Sequence, residues 1–194
     1  MTSEQDDLRD ALEQSKQASR GYADFDSWPD DETRDLGIGW DFATAVRQLG
    51  VDISALRATG RGSDPPDLIA NESIGIELSE FVDQELVAAG RRARRSGERV
   101  ALYRDWSADQ LIQQLSRIVS RKDAAVPKTV LEWQGYWLVI HTDEPGLTPE
   151  LIAAHLTHWS PPQCRLLTRA FLLMSYFPEK GRPLFELQLI HVAA

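Results

Sequence analysis

The order of hydrophobic patterns predicts an α/β protein in which a central mixed β-sheet lies between helices, and three observations carry that reading. Two short apolar segments, Leu68 to Ala70 and Ile74 to Ser79, flank the turn-forming Asn71-Glu72-Ser73 and read as a β-hairpin. The continuous run Tyr136 to His141 mixes aromatic and β-branched residues, as strands buried on both faces do. Between and after these strands lie stretches with helical spacing and recognisable caps, above all residues 107–125 and 148–158. Strands that alternate with helices cover both faces of a sheet by layering, hence the sandwich.

The chain has 194 residues, 42% hydrophobic and 26% charged, which is enough for one sizeable core. Residues 1–39 read as an acidic N-terminal helix and linker, and residues 40–194 as the α/β domain. Within the first part, residues 4–20 contain good helix formers with a thin apolar face, and residues 21–39 hold Gly, Pro and an acidic cluster, the composition of a solvated connection. Residues 41–50 read as a short helix with Asp41 as its cap, Phe42, Val46 and Leu49 as its apolar face and Gly50 as its stop. Residues 51–63 read as a loop. Its glycines lack the Gly-Lys-Ser/Thr of a phosphate-cradling loop, although Arg61 could reach a phosphate.

After the hairpin, residues 82–95 read as a helix closed by Ser96-Gly97, with Val82, Leu86 and Val87 facing the sheet. Its last turns gather Arg91, Arg92, Arg94 and Arg95, cations that either complement the helix C-terminus or line a cleft for a polyanion. Residues 100–104 are a strand candidate. Residues 107–125 form the most clearly amphipathic helix, capped by Ser107, with Leu111, Ile112, Leu115, Ile118 and Val119 as its stripe and Lys122 at its end. Thr148, Pro149 and Glu150 open the helix of residues 148–158. His155 and His158 within it have no third ligand in a zinc pattern. Residues 169–177 and 184–192 read as a closing hairpin.

Charge and cysteine usage narrow the function classes. A net charge of −9 argues against a protein that coats nucleic acid nonspecifically. The charge is uneven, however: residues 1–35 hold 11 acidic and 4 basic side chains, whereas residues 87–128 hold 10 basic and 4 acidic ones. A local basic face can steer a polyanion whatever the total. A single Cys164 permits no intramolecular disulfide, the start MTSEQDD has no leader pattern, and no apolar run approaches the roughly 20 residues of a membrane span. A cytoplasmic protein with no membrane partner is expected, and oligomerisation is left open.

The hairpin is where chemistry concentrates. Glu77 and Ser79 share one face of the second strand, and Asp67 on the partner strand can lie opposite them. Two carboxylates converging from adjacent strands suit a hard divalent cation that keeps waters for a phosphate substrate; the alternative is a solvated acidic hairpin.

Pro66-Asp67, nine residues, then Glu77-Leu78-Ser79 resembles the PD-(D/E)XK motif of the restriction-endonuclease-like nuclease superfamily. DPPD followed by IGIELSE resembles a bacterial subset with Ser or Thr in place of the motif lysine. The resemblance implies a restriction-endonuclease-like three-layer sandwich and Mg²⁺ or Mn²⁺ as cofactor. It also implies Asp67 and Glu77 as metal ligands, with the Leu78 backbone carbonyl as a third. Ser79 takes the lysine position, and Lys122 is the candidate replacement from a neighbouring helix, unless it only satisfies the last carbonyls of its own.

The implied activity is metal-dependent hydrolysis of nucleic-acid phosphodiester bonds, with DNA as partner, Asp67, Glu77, Ser79 and Lys122 at the reaction, and Arg61, Arg91, Arg92, Arg94 and Arg95 holding the backbone. The alternative is an inactive nuclease-fold module, an accessory or immunity protein of a defence system that binds a protein or nucleic acid. The acidic N-terminal arm would offer it a protein contact. The missing lysine favours this second reading; two retained neighbouring carboxylates, which repel unless something binds between them, favour the first.

Overall fold

The computed structural model describes residues 30–60, 65–96, 105–126, 133–144, 146–175, 177 and 179–192. The expected helix over residues 4–20, the strand over residues 100–104 and Arg61 lie outside them.

The chain enters through helix α1, Asp31–Val46. This corrects the expected linker, which was to run to residue 39, and the short helix expected after it. Asp30 caps α1 by accepting from the Thr33 N–H at 2.6 Å, and Asp31 and Glu32 sit in the first turn, where the helix dipole favours negative charge. The acidic cluster that reads as linker composition is thus a helix start. Gly39 belongs to the same misreading: it looks like a breaker, yet a Cβ there would lie 2.5 Å from Leu56 Cδ2 and 2.6 Å from Leu68 Cδ1. Its bare backbone lets the helix approach the sheet. A short 3₁₀ turn, Arg47–Leu49, follows and closes at Gly50 with φ +76°, as the expected stop requires. Leu49 is exposed and does not join the apolar face.

The sheet strands are β1 (Leu56–Ala58), β2 (Leu68–Ala70), β3 (Ile74–Glu80), β4 (Gly135–Thr142), β6 (Arg169–Met174) and β7 (Leu184–Leu187), in the spatial order β1-β2-β3-β4-β6-β7. β1 corrects the expected loop; it is too short and too polar to show a strand period and exists by pairing with β2, Leu56 opposite Ala70. β2 and β3 form the expected hairpin, turning at Asn71 and Glu72 with φ of 49° and 60°. Asn71 supports that turn by accepting from the Ser54 and Ala55 N–H groups and donating to the Asp52 carbonyl.

Helices α2 (Gln84–Ser96) and α3 (Ala108–Ala125) lie between β3 and its parallel neighbour β4, and α4 (Pro149–Leu156) between β4 and its parallel neighbour β6. Ser107 and Gln110 form a reciprocal capping box on α3, and Thr148 caps α4. The expected closing hairpin is shorter than its apolar pattern. β6 and β7 pair antiparallel, whereas Ile190–His191 leaves as β8 to pair with β5 (Gln163–Cys164) in a separate small sheet.

Alternation along β3 and β4 divides the core. Ile74, Ile76, Leu78, Trp137 and Val139 face α1, where Phe42 and Val46 are fully buried. Tyr136, Leu138 and Ile140 face α3 and α4, where Leu111, Leu115 and Ile152 are fully buried. The result is an α/β protein with a six-stranded mixed sheet covered on both faces. Each fully buried Leu or Ile stabilises it by about 1.5–3 kcal/mol. Among the described residues no helix is long and apolar enough to cross a membrane.

Candidate metal centre

On the α3 side, β3 presents Gly75, Glu77 and Ser79 in succession, the faces of a strand alternating at period 2. The hairpin register pairs Leu68 with Ile76, so continuing it by one residue sets Asp67 opposite Glu77. Asp67 is fixed from two directions. Its side chain accepts from the Leu78 N–H at 2.7 Å, and its carbonyl accepts from the Thr59 N–H at 3.1 Å. The N–H and C=O of one residue in an extended strand point to the same side, so the Leu78 carbonyl also faces the Asp67 edge.

The third participant comes from α3. Lys122 Nζ lies 2.6 Å from Glu77 Oε1, both side chains being largely buried. Thus the sequence-expected Asp67, Glu77 and Lys122 lie together, although 45 residues separate Glu77 from Lys122, and Ser79 shares the Glu77 face of β3. Lys122 reaches the strand because the next residue anchors the end of the helix. Asp123 accepts backbone hydrogen bonds from Arg165, Leu166 and Leu167 at 2.9–3.1 Å, tying α3 to the segment before β6.

The fourth participant is absent from the sequence reading. Tyr136, fully enclosed at the start of β4, donates its hydroxyl to Glu77 Oε2 at 2.9 Å. In a strand as apolar as β4 a tyrosine reads simply as core. The available signal was Gly75, which pairs with Tyr136 across the parallel register. A Cβ on Gly75 would sit 2.7 and 2.9 Å from Tyr136 Cδ2 and Cε2, so the glycine makes room for the ring.

Electrostatics mark Asp67 as the strained member of the group. Burial pushes its carboxyl above the ordinary 3.8; the Leu78 N–H opposes this, Glu77 adds to it, Lys122 opposes it and Asp35 of α1 adds to it. Asp35 itself is paired with Arg34 at 2.9 Å. The Tyr136 hydroxyl is also pushed up, by burial and by the adjacent Glu77, and so remains a proton donor. The centre therefore brings two facing carboxyl groups and one lysine together in a partly dry site.

Among the described residues no group of three or more His, Cys, Asp and Glu side chains could hold a metal by itself. The donors present are two carboxylates and a main-chain carbonyl. That oxygen-only, incomplete set fits a hard cation of the Mg²⁺ or Mn²⁺ type, which retains waters and takes its remaining ligands from a phosphate. Each engaged carboxylate oxygen keeps a lone pair for it. Of His155 and His158, the first has its Nε2 3.0 Å from the Trp106 carbonyl. Of the arginines on α2, Arg92 is exposed, and the side chains of Arg91, Arg94 and Arg95 lie outside the described part.

No family model, characterised protein or solved structure matches the chain in the comparisons made.

Proposed function

We propose that this protein is a metal-dependent nuclease of the PD-(D/E)XK type, hydrolysing phosphodiester bonds at the Asp67–Glu77 centre, with the restriction-endonuclease-like version of the α/β sandwich as its fold. The observation that carries the proposal is the Lys122 ammonium 2.6 Å from Glu77, supplied by a helix where the motif strand offers only Ser79. A divalent cation would polarise the phosphate and lower the pKa of the attacking water. Asp67 and Glu77 would hold it from opposite strands, with the Leu78 carbonyl beside them. Lys122 orients the water and offsets charge on the phosphate oxygens, and the Ser79 hydroxyl can hold a water by hydrogen bonding. The arginines of α2 would hold the flanking backbone of a nucleic acid, taken to be DNA.

One observation favours the second reading, a non-catalytic module. Both Glu77 oxygens already have protein partners, Lys122 and Tyr136, as in a site closed by internal pairing. Cleavage assays separate the two. Radiolabelled single- and double-stranded DNA and RNA are incubated with wild type, Asp67→Ala and Glu77→Ala in Mg²⁺, Mn²⁺ and chelator. The nuclease reading expects metal-dependent cleavage by wild type only. Equal background from all three proteins would leave the module reading standing.

A further inference from the structure

The contacts of Glu77 divide its two oxygens between unlike partners. Oε1 meets the Lys122 ammonium at 2.6 Å and Oε2 meets the Tyr136 hydroxyl at 2.9 Å. A divalent cation bound to Glu77 is repelled by an ammonium at that distance, so Lys122 must give ground when the cation arrives. A neutral hydroxyl faces no such repulsion. Its hydrogen bond stays compatible with the cation and fixes the carboxylate plane while the lysine moves.

We infer that Tyr136 is the positioning residue of this centre, holding Glu77 aimed at Asp67 whether Lys122 sits on the carboxylate or is released towards the phosphate. The inference rests on the metal-dependent reading given above. Its geometry is independent of Lys122, because Tyr136 is built into β4 while Lys122 belongs to α3. The ring cannot swing away freely: it is fully enclosed, and it fills the space a Cβ on Gly75 would take, with Pro66 Cγ beside the same space. Its N–H is held as well, donating to Thr168 Oγ1 at 3.0 Å. Hydrogen-bond partners of metal-binding carboxylates typically govern metal affinity or activity by about 10–100-fold.

The test uses the full chain and reads metal dependence separately from maximal rate. Mn²⁺ is titrated calorimetrically into wild type and Tyr136→Phe, and cleavage is followed against Mg²⁺ concentration. Thermal melting of each protein runs in parallel. The phenylalanine variant keeps the ring and loses only the hydroxyl. Expected are a roughly tenfold weaker Mn²⁺ affinity and a matching rise in the Mg²⁺ needed for half-maximal cleavage, with a smaller change in rate at saturating metal. Gly75→Ala is the second variant, in case loss of the hydroxyl unfolds the chain. It retains the hydroxyl but crowds the ring, and the same weakening is expected. Metal dependence like that of wild type in a folded variant, whatever its melting point, would show that Tyr136 merely packs and would overturn the inference while leaving the centre intact. A wild type that neither binds Mn²⁺ nor cleaves would instead overturn the underlying reading, and the inference with it.

Discussion

Two sets of buried and partly buried carboxyl groups in this molecule differ in what lies beside them. Asp123, Glu144 and Asp83 are nearly inaccessible, and each is met by neutral donors. Asp123 takes three consecutive backbone N–H groups; Glu144 takes the Asp83 N–H at 2.5 Å and the Trp106 indole N–H at 3.2 Å; Asp83 caps the Glu85 and Leu86 N–H groups. Asp67 and Glu77 instead lie opposite one another, Glu77 paired with Lys122 and Asp67 raised above its ordinary value by burial, with Glu77 adding to the rise. The first set clips segments of chain together. The second sets two carboxyl groups opposite each other beside a lysine, and a convergence of titratable groups of that kind marks a candidate site where the first set marks a structural fixture.

Substitutions should sort along this line. Asp67→Ala and Glu77→Ala are expected to lower metal-dependent cleavage by two to three orders of magnitude, about the effect of removing a preorganised charge from a reacting centre. Thermal melting should show both proteins folded. Asp123→Ala should do the reverse, destabilising by about 3 kcal/mol in urea unfolding because three N–H groups lose one acceptor. Where folded, it should retain metal binding. If the two classes exchange phenotypes, the division fails.

A finer pair concerns Lys122. Lys122→Met should reduce cleavage about a hundredfold while tightening metal affinity, since no ammonium then has to leave Glu77, and Ser79→Lys placed in that background should restore part of the rate. Ser79 faces the same side of β3 as Glu77, so a lysine there projects into the same centre. Absence of any rescue would mean that the position of the ammonium, and not only its presence, is set by α3.

The smallest effect is on stability against pH. Burial raises the Asp67 carboxyl in the folded chain, so the folded state binds the proton more tightly than the unfolded one. The stability this contributes is full below the ordinary 3.8 and is lost as pH rises through the folded value. In chelator, wild type should lose stability across that rise, and Asp67→Asn, which keeps an acceptor for the Leu78 N–H, should not. Urea midpoints measured from pH 3 upward decide it; parallel curves for the two proteins would remove the argument that Asp67 is strained.

The hairpin and the helices after it were legible because each carries a local signal. Asn71-Glu72-Ser73 turns, Ser107 and Thr148 cap, and Ile74, Ile76 and Leu78 alternate. The misread parts depend on distant partners. Gly39 is explained only by Leu56 and Leu68, β1 only by β2, and the separation of β8 from β7 only by β5. The candidate centre divides in the same way. Asp67, Glu77 and Ser79 lie within one hairpin and show in the motif; Lys122 could be proposed but not placed, since the Asp123 clip that orients the end of α3 spans 42 residues. Tyr136 was hidden because the polarity of a tyrosine hydroxyl carries no signal inside an apolar run.

The central claim is that Asp67 and Glu77 together form a cation site, and calorimetric titration of Mn²⁺ into the full chain and into Glu77→Ala addresses it most directly. The account expects saturable binding by wild type, strengthened by a short oligonucleotide that supplies phosphate ligands, and none by the variant. Absence of binding by a folded wild type with the oligonucleotide present, or equal binding by both proteins, would contradict it.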